Sequence, residues 1–482
     1  MKKLLVTVTL LFTLLSVAVY ATPSIFKQSA IHNITKHLGN ITDKNTLENA
    51  KKHWFKGKKS HLFPKKNAFN KYKKRHKKHK RNIFKQLHVG FGGTSAYDFY
   101  AAENNEIIWM SNLDLLLDDN IAENTYYQKI KDFEAEDFST LQSKLKNSKY
   151  IIYWLPKNWS EYWFDTEQIQ LAMDKGYIPV FMYWYFGDTL VSALPTEEEL
   201  VAYKKNNQKL SDFLSKLKGK KIIIMEPEFN KSLITSNEEN ANTLAQIIAD
   251  AIDTIKVNNQ SLLVSLCMTD TGNRNENTVL SSCGYDNCAL GDKSSWDTTE
   301  QIYTKLLQKL DFISFQEMLA QFSRDPHNPG TWDHPNPKAY TKSNLGVNLL
   351  AQRIVNFSEY LHKKYNKPIF LPYMTIATAV WKDSNDNNTI EQDELDLDGW
   401  NDVASNVYQD LSDLKDKLQR KGLFGYAPMA LFDHPGHDKN GYQYFMNNEY
   451  HLGITKTTAQ DTTDIHLLGD ILPKSTIIDF IY

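Results

Sequence analysis

Short apolar runs alternate with amphipathic stretches from residue 85 onward. The clearest run, Ile222–Met225, follows Lys220-Lys221 and has the unbroken apolar character of a strand buried on both faces. Similar runs predict seven further strands at Leu87–Phe91, Tyr150–Leu155, Ile178–Tyr185, Leu262–Met268, Phe312–Phe315, Pro368–Ile376 and Gly425–Phe432. Helical periodicity covers Phe133–Asn147, Thr166–Lys175, Glu197–Lys218, Ala241–Val257, Thr298–Lys309, Leu345–Lys364 and Trp400–Arg420.

This alternation predicts an α/β fold whose strands form one parallel sheet. Eight strand–helix units over residues 85–482 favour a closed (β/α)8 TIM-like barrel with loop insertions. An open doubly wound sheet is the alternative, and it is disfavoured because no glycine-rich phosphate-binding motif opens any helix. Ile107–Met110 predicts an additional hairpin strand, and residues 442–482 predict short strands and turns without a closing helix.

The N-terminal residues have the pattern of an export signal. Lys2 and Lys3 precede the apolar run Leu4–Val19, and Val19-Tyr20-Ala21 suits signal peptidase, so residues 1–21 predict a signal peptide. We therefore expect a secreted or periplasmic protein. In such a compartment Cys283 and Cys288 are placed to form a short disulfide, whereas Cys267 lies in an apolar run and predicts a buried free thiol.

Charge is distributed unevenly along the chain. The net charge is −1, yet Lys51–Lys85 contains 16 Lys or Arg and no Asp or Glu, so the rest of the sequence carries −17. With little apolar periodicity, residues 22–84 predict a basic, disordered arm. Such an arm suits an anionic cell-surface polymer or lipid, and the alternatives are that it lies on the acidic domain or is solvated.

Aromatic and polar side chains follow the predicted strands. In a barrel these positions share one mouth, where ligands bind. Aromatic faces stack on sugar rings, while carboxylates and amides accept hydrogen bonds from hydroxyls, so the set predicts a polysaccharide site. The alternative for each aromatic residue is a core position. The candidate substrate-binding residues are Trp154, Tyr183, Trp184, Tyr185, Asp188, Asn230, Gln316, Tyr373, Asp433 and His434.

Three glutamates at strand ends are the candidate catalytic residues. Glycosidic cleavage commonly uses two carboxyl groups, and Glu226 or Glu228 paired with Glu317 meets that need. Pro227 ends regular pairing, and strand alternation places Glu226 and Glu228 on one side if the chain does not bend there. One of them is then deeper, with a raised pKa; which one is the acid stays open. A solvated or ion-paired Glu is the alternative.

The chain resembles the secreted barrel glycoside hydrolases of clan A. Glu226-Pro227 resembles the Glu-Pro that follows strand four in many members, which implies an acid/base role at this position. Glu228-Phe229-Asn230 and Gly176-Tyr177-Ile178-Pro179 are similar to segments of glycoside hydrolase family 26. Clan members place their nucleophile after strand seven, whereas Pro368–Ala379 contains no carboxylate.

Two further patterns suggest metal ions. Asp383, Asn385, Asn387, Thr389 and Glu394 follow the ligand spacing of an EF-hand loop and predict structural Ca²⁺, with an acidic surface loop as the alternative. A second set of side chains predicts a His/Asp metal site: Asp433, His434, His437 and Asp438, together with His327, Asp333 and His334.

Three functions therefore remain after the sequence has been considered. The first is an exported glycoside hydrolase that cleaves a polysaccharide. The second is a non-catalytic barrel that binds a cell-surface glycan or anionic polymer, and the third is a metal-dependent hydrolase. Fold alone does not decide among them.

Overall fold

Eight parallel strands close into a barrel. The computed structural model describes residues 83–92, 99–103, 106–110, 141–161, 164–268, 297–319, 350–381, 395–396, 398–433, 451–457 and 471–482. Each barrel strand pairs with the next, and the last pairs with the first, which confirms the predicted (β/α)8 fold. The strands are β1 (His88–Phe91), β2 (Tyr150–Pro156), β3 (Ile178–Trp184), β4 (Lys221–Met225), β5 (Leu262–Met268), β6 (Ile313–Phe315), β7 (Ile369–Ile376) and β8 (Leu423–Pro428).

Helices surround the barrel, and their ends follow local sequence signals. The Asp165 carboxylate accepts hydrogen bonds from the first turn of the helix Thr166–Lys175, and Gly176, with φ 106°, caps the other end of that helix. Thr196 and Glu199 form a capping box at the start of the helix Glu197–Ser215. The helices are α1 (Thr166–Lys175), α2 (Glu197–Ser215), α3 (Glu238–Lys256), α4 (Glu300–Leu306), α5 (Leu350–Tyr365), α6 (Asn401–Asp413), α7 (Lys415–Arg420) and α8 (Ser475–Ile481).

Short strands and helices lie in the loops between the barrel elements. Phe99–Glu103 and Glu106–Met110 pair as an antiparallel hairpin, which confirms the extra strand predicted at Ile107–Met110. The remaining short strands are Glu317–Leu319, Val380–Trp381, Leu395–Asp396, Ala430–Phe432, Gly453–Thr457 and Ile471–Pro473, and the short helices are Ile83–Lys85, Gly187–Val191 and Ser232–Thr235.

The barrel interior is filled by apolar side chains that include the large ring of Tyr150. This ring fits because glycines lie beside it on β1 and on β8. A Cβ atom at Gly90 would lie 2.5 Å from Tyr150 Cβ, and one at Gly425 would lie 2.5 Å from Tyr150 Cε2. The other interior side chains come from alternate positions of the strands and include Ile152, Val180, Met182, Ile222, Ile224, Cys267, Phe370 and Phe424.

The C-terminal residues differ from the sequence prediction. They contain the predicted short strands, but they end in α8, whose residues Ile477, Ile478 and Ile481 are buried. The prediction of no closing helix was wrong because a single short helix rich in isoleucine has no clear helical period and also suits a strand. Cys267 is buried and unpaired, as predicted. Within the described ranges, no helix combines the length and the apolar character needed to cross a bilayer.

Candidate active site

Glu228 lies at the carboxyl-terminal mouth of the barrel, just after β4. The Tyr373 hydroxyl on β7 donates a hydrogen bond to Glu228 Oε1 at 3.0 Å, and Lys231 Nζ lies 3.1 Å from Glu228 Oε2. The backbone N–H of Glu228 donates to the Cys267 carbonyl of β5 at 3.0 Å. About a quarter of its side chain stays exposed, at 23%. Glu228 is therefore an accessible carboxylate at the mouth, fixed by donors on either side.

Aromatic rings extend from this carboxylate across the mouth. Tyr373 is fully buried, and its ring centroid lies 5.3 Å from that of Trp154. Trp154 in turn meets Trp184 edge to face at 6.1 Å, and both tryptophans are half-buried. Gly187 has φ +53°, and a Cβ there would come within 3.3 Å of the Trp184 ring. The half-buried faces of Trp154 and Trp184 suit stacking against a flat, partly apolar ligand such as a pyranose ring.

Glu226 is separated from this mouth, although it stands only two residues from Glu228. Its side chain is 1% exposed and reaches the helix-facing layer, where the Phe186 N–H donates to Glu226 Oε2 at 3.0 Å. Burial raises the pKa of Glu226 to about 8, although the Phe186 N–H, the Tyr203 hydroxyl and the Tyr185 N–H oppose the shift. The prediction that the two carboxylates share one side was wrong because Glu226 and Glu228 have left-handed backbones, with φ 42° and 63°.

Glu317 is buried and forms an ion pair with a helix residue. Arg353 Nη1 on α5 donates to both of its carboxylate oxygens, at 2.8 and 2.7 Å. The Glu317 side chain is only 1% exposed. A buried carboxylate held in an ion pair is not open to a substrate, so the structure contradicts the predicted pairing of Glu317 with Glu226 or Glu228 as catalytic residues.

Three of the predicted substrate-binding residues belong to the interior. Tyr183 is fully buried, and its hydroxyl donates to Asn207 of α2 at 3.0 Å. Tyr185 is 4% exposed and packs against Tyr203. Strand alternation explains both, since these tyrosines face the helices whereas Trp184 faces the barrel axis. Asp433 is buried beside Lys474 Nζ at 2.9 Å, so it too is unavailable to a ligand.

The other predicted residues divide into two groups. Gln316 is buried at the end of β6, and Asn230 is half-buried just beyond Glu228. The side chain of Asp188, the whole of His434 and the predicted calcium ligands lie outside the described residues, as do Cys283, Cys288 and residues 1–82. The histidines of the second metal prediction also lie outside them. Within the described part of the chain, no three His, Cys, Asp or Glu side chains are grouped as metal ligands.

Sequence reasoning missed the basic partners of the carboxylates. Lys231 lies three residues after Glu228, a spacing at which side chains meet on a helical turn, so the sequence contained a signal for this pair. Arg353 pairs with Glu317 across 36 residues, and Lys474 pairs with Asp433 across 41. No local pattern indicates pairs at such separations.

Solved structures with a similar outline include several glycosidases. A β-glucosidase from Pyrococcus furiosus aligns with a TM-score of 0.45 and 13% identity over 82% of this chain and 94% of that one. A family 1 β-glucosidase from Thermotoga maritima gives 0.43 and 10% over 82% and 96%. The GH53 catalytic domain from Ignisphaera aggregans gives 0.43 and 11% over 84% and 98%.

These likenesses carry no argument about activity, because the identities and TM-scores are too low. No protein-family model matches the sequence, and no curated protein does. The (β/α)8 architecture rests on the strand pairing of this chain itself, in which each of eight parallel strands pairs with the next around a closed ring.

Proposed function

We propose that this protein hydrolyses glycosidic bonds of a polysaccharide and that Glu228 is its carboxylate at the reacting centre. The observation that carries the proposal is the position of Glu228, partly exposed at the barrel mouth between Tyr373 and Lys231 and beside Trp154. Both polar partners are donors, so Glu228 acts as an acceptor. This suits the nucleophile or base of glycosidic cleavage better than the acid.

A non-catalytic glycan-binding barrel is the second candidate. It is favoured by the burial of three other carboxylates that follow barrel strands, Glu226, Glu317 and Asp433. Glycosidic cleavage commonly needs a second carboxyl group near the first, and none of these three is open to a ligand. The aromatic mouth would bind sugar equally well without that group.

Hydrolysis assays on a panel of polysaccharides separate the two candidates. The wild type is compared with Glu228→Gln and with Glu239→Gln, a matched change at an exposed position of α3. Loss of the carboxylate is expected to lower kcat/KM by about 10²–10⁴-fold, and the control is expected to keep full activity. Hydrolysis that survives Glu228→Gln removes the catalytic assignment. Binding without hydrolysis by the wild type favours the second candidate.

We further propose that residues 383–394 bind Ca²⁺ as a structural ion. The proposal is supported by the ligand spacing and by the short antiparallel ladder of the flanking residues, which pairs Val380 with Asp396 and Trp381 with Leu395. Calcium added to chelator-treated protein is expected to raise the Tm. At a free calcium concentration of 100 times Kd, the free energy of unfolding is expected to rise by about 2.7 kcal/mol. The same addition to Glu394→Gln is expected to have little effect, and an equal rise in both proteins would contradict the proposal.

Export is proposed on the sequence of residues 1–21 alone. N-terminal sequencing of protein recovered from outside the cytoplasm is expected to begin at Thr22. A mature chain that still begins at Met1 would contradict it.

A further inference from the structure

Basic side chains gather at the end of the barrel opposite Glu228. Lys149 immediately precedes β2, Lys220 precedes β4, and Lys415 begins α7, the helix that leads into β8. His88 begins β1 and pairs with Gly425 of β8. Because the barrel strands are parallel, His88, Lys149 and Lys220 lie at its amino-terminal end, and α7 leads to that end.

These groups are close enough to interact electrostatically. Burial and the charges of Lys149 and Lys415 lower the pKa of His88 to about 4. Burial and the charge of Lys220 lower the pKa of Lys149. Together with the positions of His88, Lys149 and Lys220 at the starts of β1, β2 and β4, these interactions place the three residues and Lys415 in one basic arc, named here the basal arc.

The lysines of the basal arc lack acidic partners among the described residues. The Lys149 ammonium donates to the carbonyl of Gly176. Lys220 and Lys415 are exposed and form no ion pair within the described part of the chain. Asp174 and Asp416 lie at the same end, and Asp174 Oδ1 accepts a hydrogen bond from a neighbouring glutamine at 3.1 Å. Three half-buried lysines, Lys256, Lys309 and Lys364, by contrast pair with carboxylates, and one of these carboxylates, Asp311, lies at this same end before β6.

The chain enters the barrel at this same end. Ile83 is buried among the interior side chains, and the Phe84 ring packs edge to face on Phe424 at 4.9 Å. The backbone carbonyl of Lys85 accepts a hydrogen bond from Gln419 of α7 at 3.0 Å. The segment that leads into this entry, Lys51–Lys85, contains 16 Lys or Arg and no acid. The covalent entry point of the most basic part of the sequence therefore lies beside the basal arc.

We propose that the basal arc binds an anionic polysaccharide, with Lys149 and Lys220 as its contact residues. A linear polymer of carboxylate or sulfate groups suits a row of unpaired cations along a rim. An anionic lipid surface suits it less well, because stable membrane attachment needs apolar insertion as well as charge. Val257 is the one large apolar side chain described as strongly exposed at this end, since Val191 and Val201 lie near the opposite end. Binding here would leave the mouth with Glu228 open.

The test measures binding of the full chain to heparin, used as a polyanion probe, over a series of salt concentrations. The variant Lys149→Gln/Lys220→Gln is compared with Lys204→Gln/Lys205→Gln, a matched pair of exposed lysines on α2. The first is expected to weaken binding on the order of tenfold at low salt and to reduce the salt dependence by about one ion per lysine. The second is expected to bind as the wild type does.

Two further measurements keep the outcome decisive. Lys149→Arg/Lys220→Arg keeps the charge and is expected to retain binding, which separates charge from any effect on folding. Equal loss in both glutamine pairs, or loss in neither, would overturn the proposal because binding would then not depend on the basal arc. Binding to phosphatidylglycerol vesicles without binding to heparin would also overturn it and would assign the arc to a lipid surface.

Discussion

Replacing Glu226 by Gln is expected to remove a large part of the pH dependence of folding stability. Glu226 is fully buried, and burial raises its pKa to about 8 from the ordinary value of 4.5. The folded protein therefore holds this proton more tightly than the unfolded chain does. Unfolding releases the proton between pH 4.5 and 8, so stability falls as pH rises through that window.

The magnitude follows from the two pKa values. Each pH unit between them lowers the free energy of unfolding by about 1.4 kcal/mol, so the full loss is roughly 5 kcal/mol. About 3 kcal/mol of this loss falls between pH 5 and pH 8. Below pH 4.5 the contribution of Glu226 to stability is fully present because both states are protonated. A glutamine keeps an oxygen to accept from the Phe186 N–H, which donates to Glu226 Oε2 at 3.0 Å, and it carries no charge at any pH.

Urea unfolding followed by intrinsic fluorescence measures this effect. Wild type, Glu226→Gln and the exposed-site control Glu239→Gln are compared at pH 5 and pH 8. Glu226→Gln is expected to match the wild type within about 1 kcal/mol at pH 5 and to exceed it by about 3 kcal/mol or more at pH 8. The control should follow the wild type at both values. Parallel pH dependence in all three proteins would refute the argument that Glu226 is protonated in the folded state.

Two buried ion pairs give further predictions on stability, each measured by thermal unfolding. Arg353→Leu leaves the buried Glu317 carboxylate without the guanidinium that contacts both of its oxygens, and it is expected to lower the free energy of unfolding by about 3–5 kcal/mol. Much of this stability should return in the double variant that also carries Glu317→Gln. Lys474→Met is expected to cost a similar amount, because Lys474 Nζ lies 2.9 Å from the buried Asp433. Lys363→Met, which breaks an exposed pair, should cost no more than about 1 kcal/mol, and a loss as large as the first two would contradict the assignment to burial.

The barrel was predictable because each of its strands is a continuous apolar run. The strand predicted at Ile222–Met225 begins one residue late against the observed Lys221–Met225, and the one predicted at Ile178–Tyr185 ends one residue late against Ile178–Trp184. Because such strands are buried on both faces, a continuous apolar run predicts them without any alternation of polar residues. The closing helix Ser475–Ile481 was not predictable from the local sequence, because it is stabilised by packing against α6.

The candidate site was predictable in position but not in detail. The end of β4 indicated Glu228, and the aromatic residues after β3 indicated a ligand surface. Treating Tyr183, Trp184 and Tyr185 as one group ignored strand alternation, since the interior residue Met182 shares its side with Trp184. That signal was present in the sequence. The ion pair between Glu317 and Arg353 was not, because it joins a strand end to a helix 36 residues away.

The different environments of Glu226 and Glu228 originate in the backbone. A left-handed conformation costs each non-glycine residue about 1 kcal/mol or more, so both must be held in place by their surroundings. The Glu226 N–H donates to the Tyr183 carbonyl of β3 at 2.8 Å, and the Glu228 N–H donates to the Cys267 carbonyl of β5 at 3.0 Å. Hydrogen bonds to the two neighbouring strands thus fix the turn before any ligand arrives. One carboxyl group is directed under α2, where burial raises its pKa, and the other is presented at the mouth in a fixed orientation.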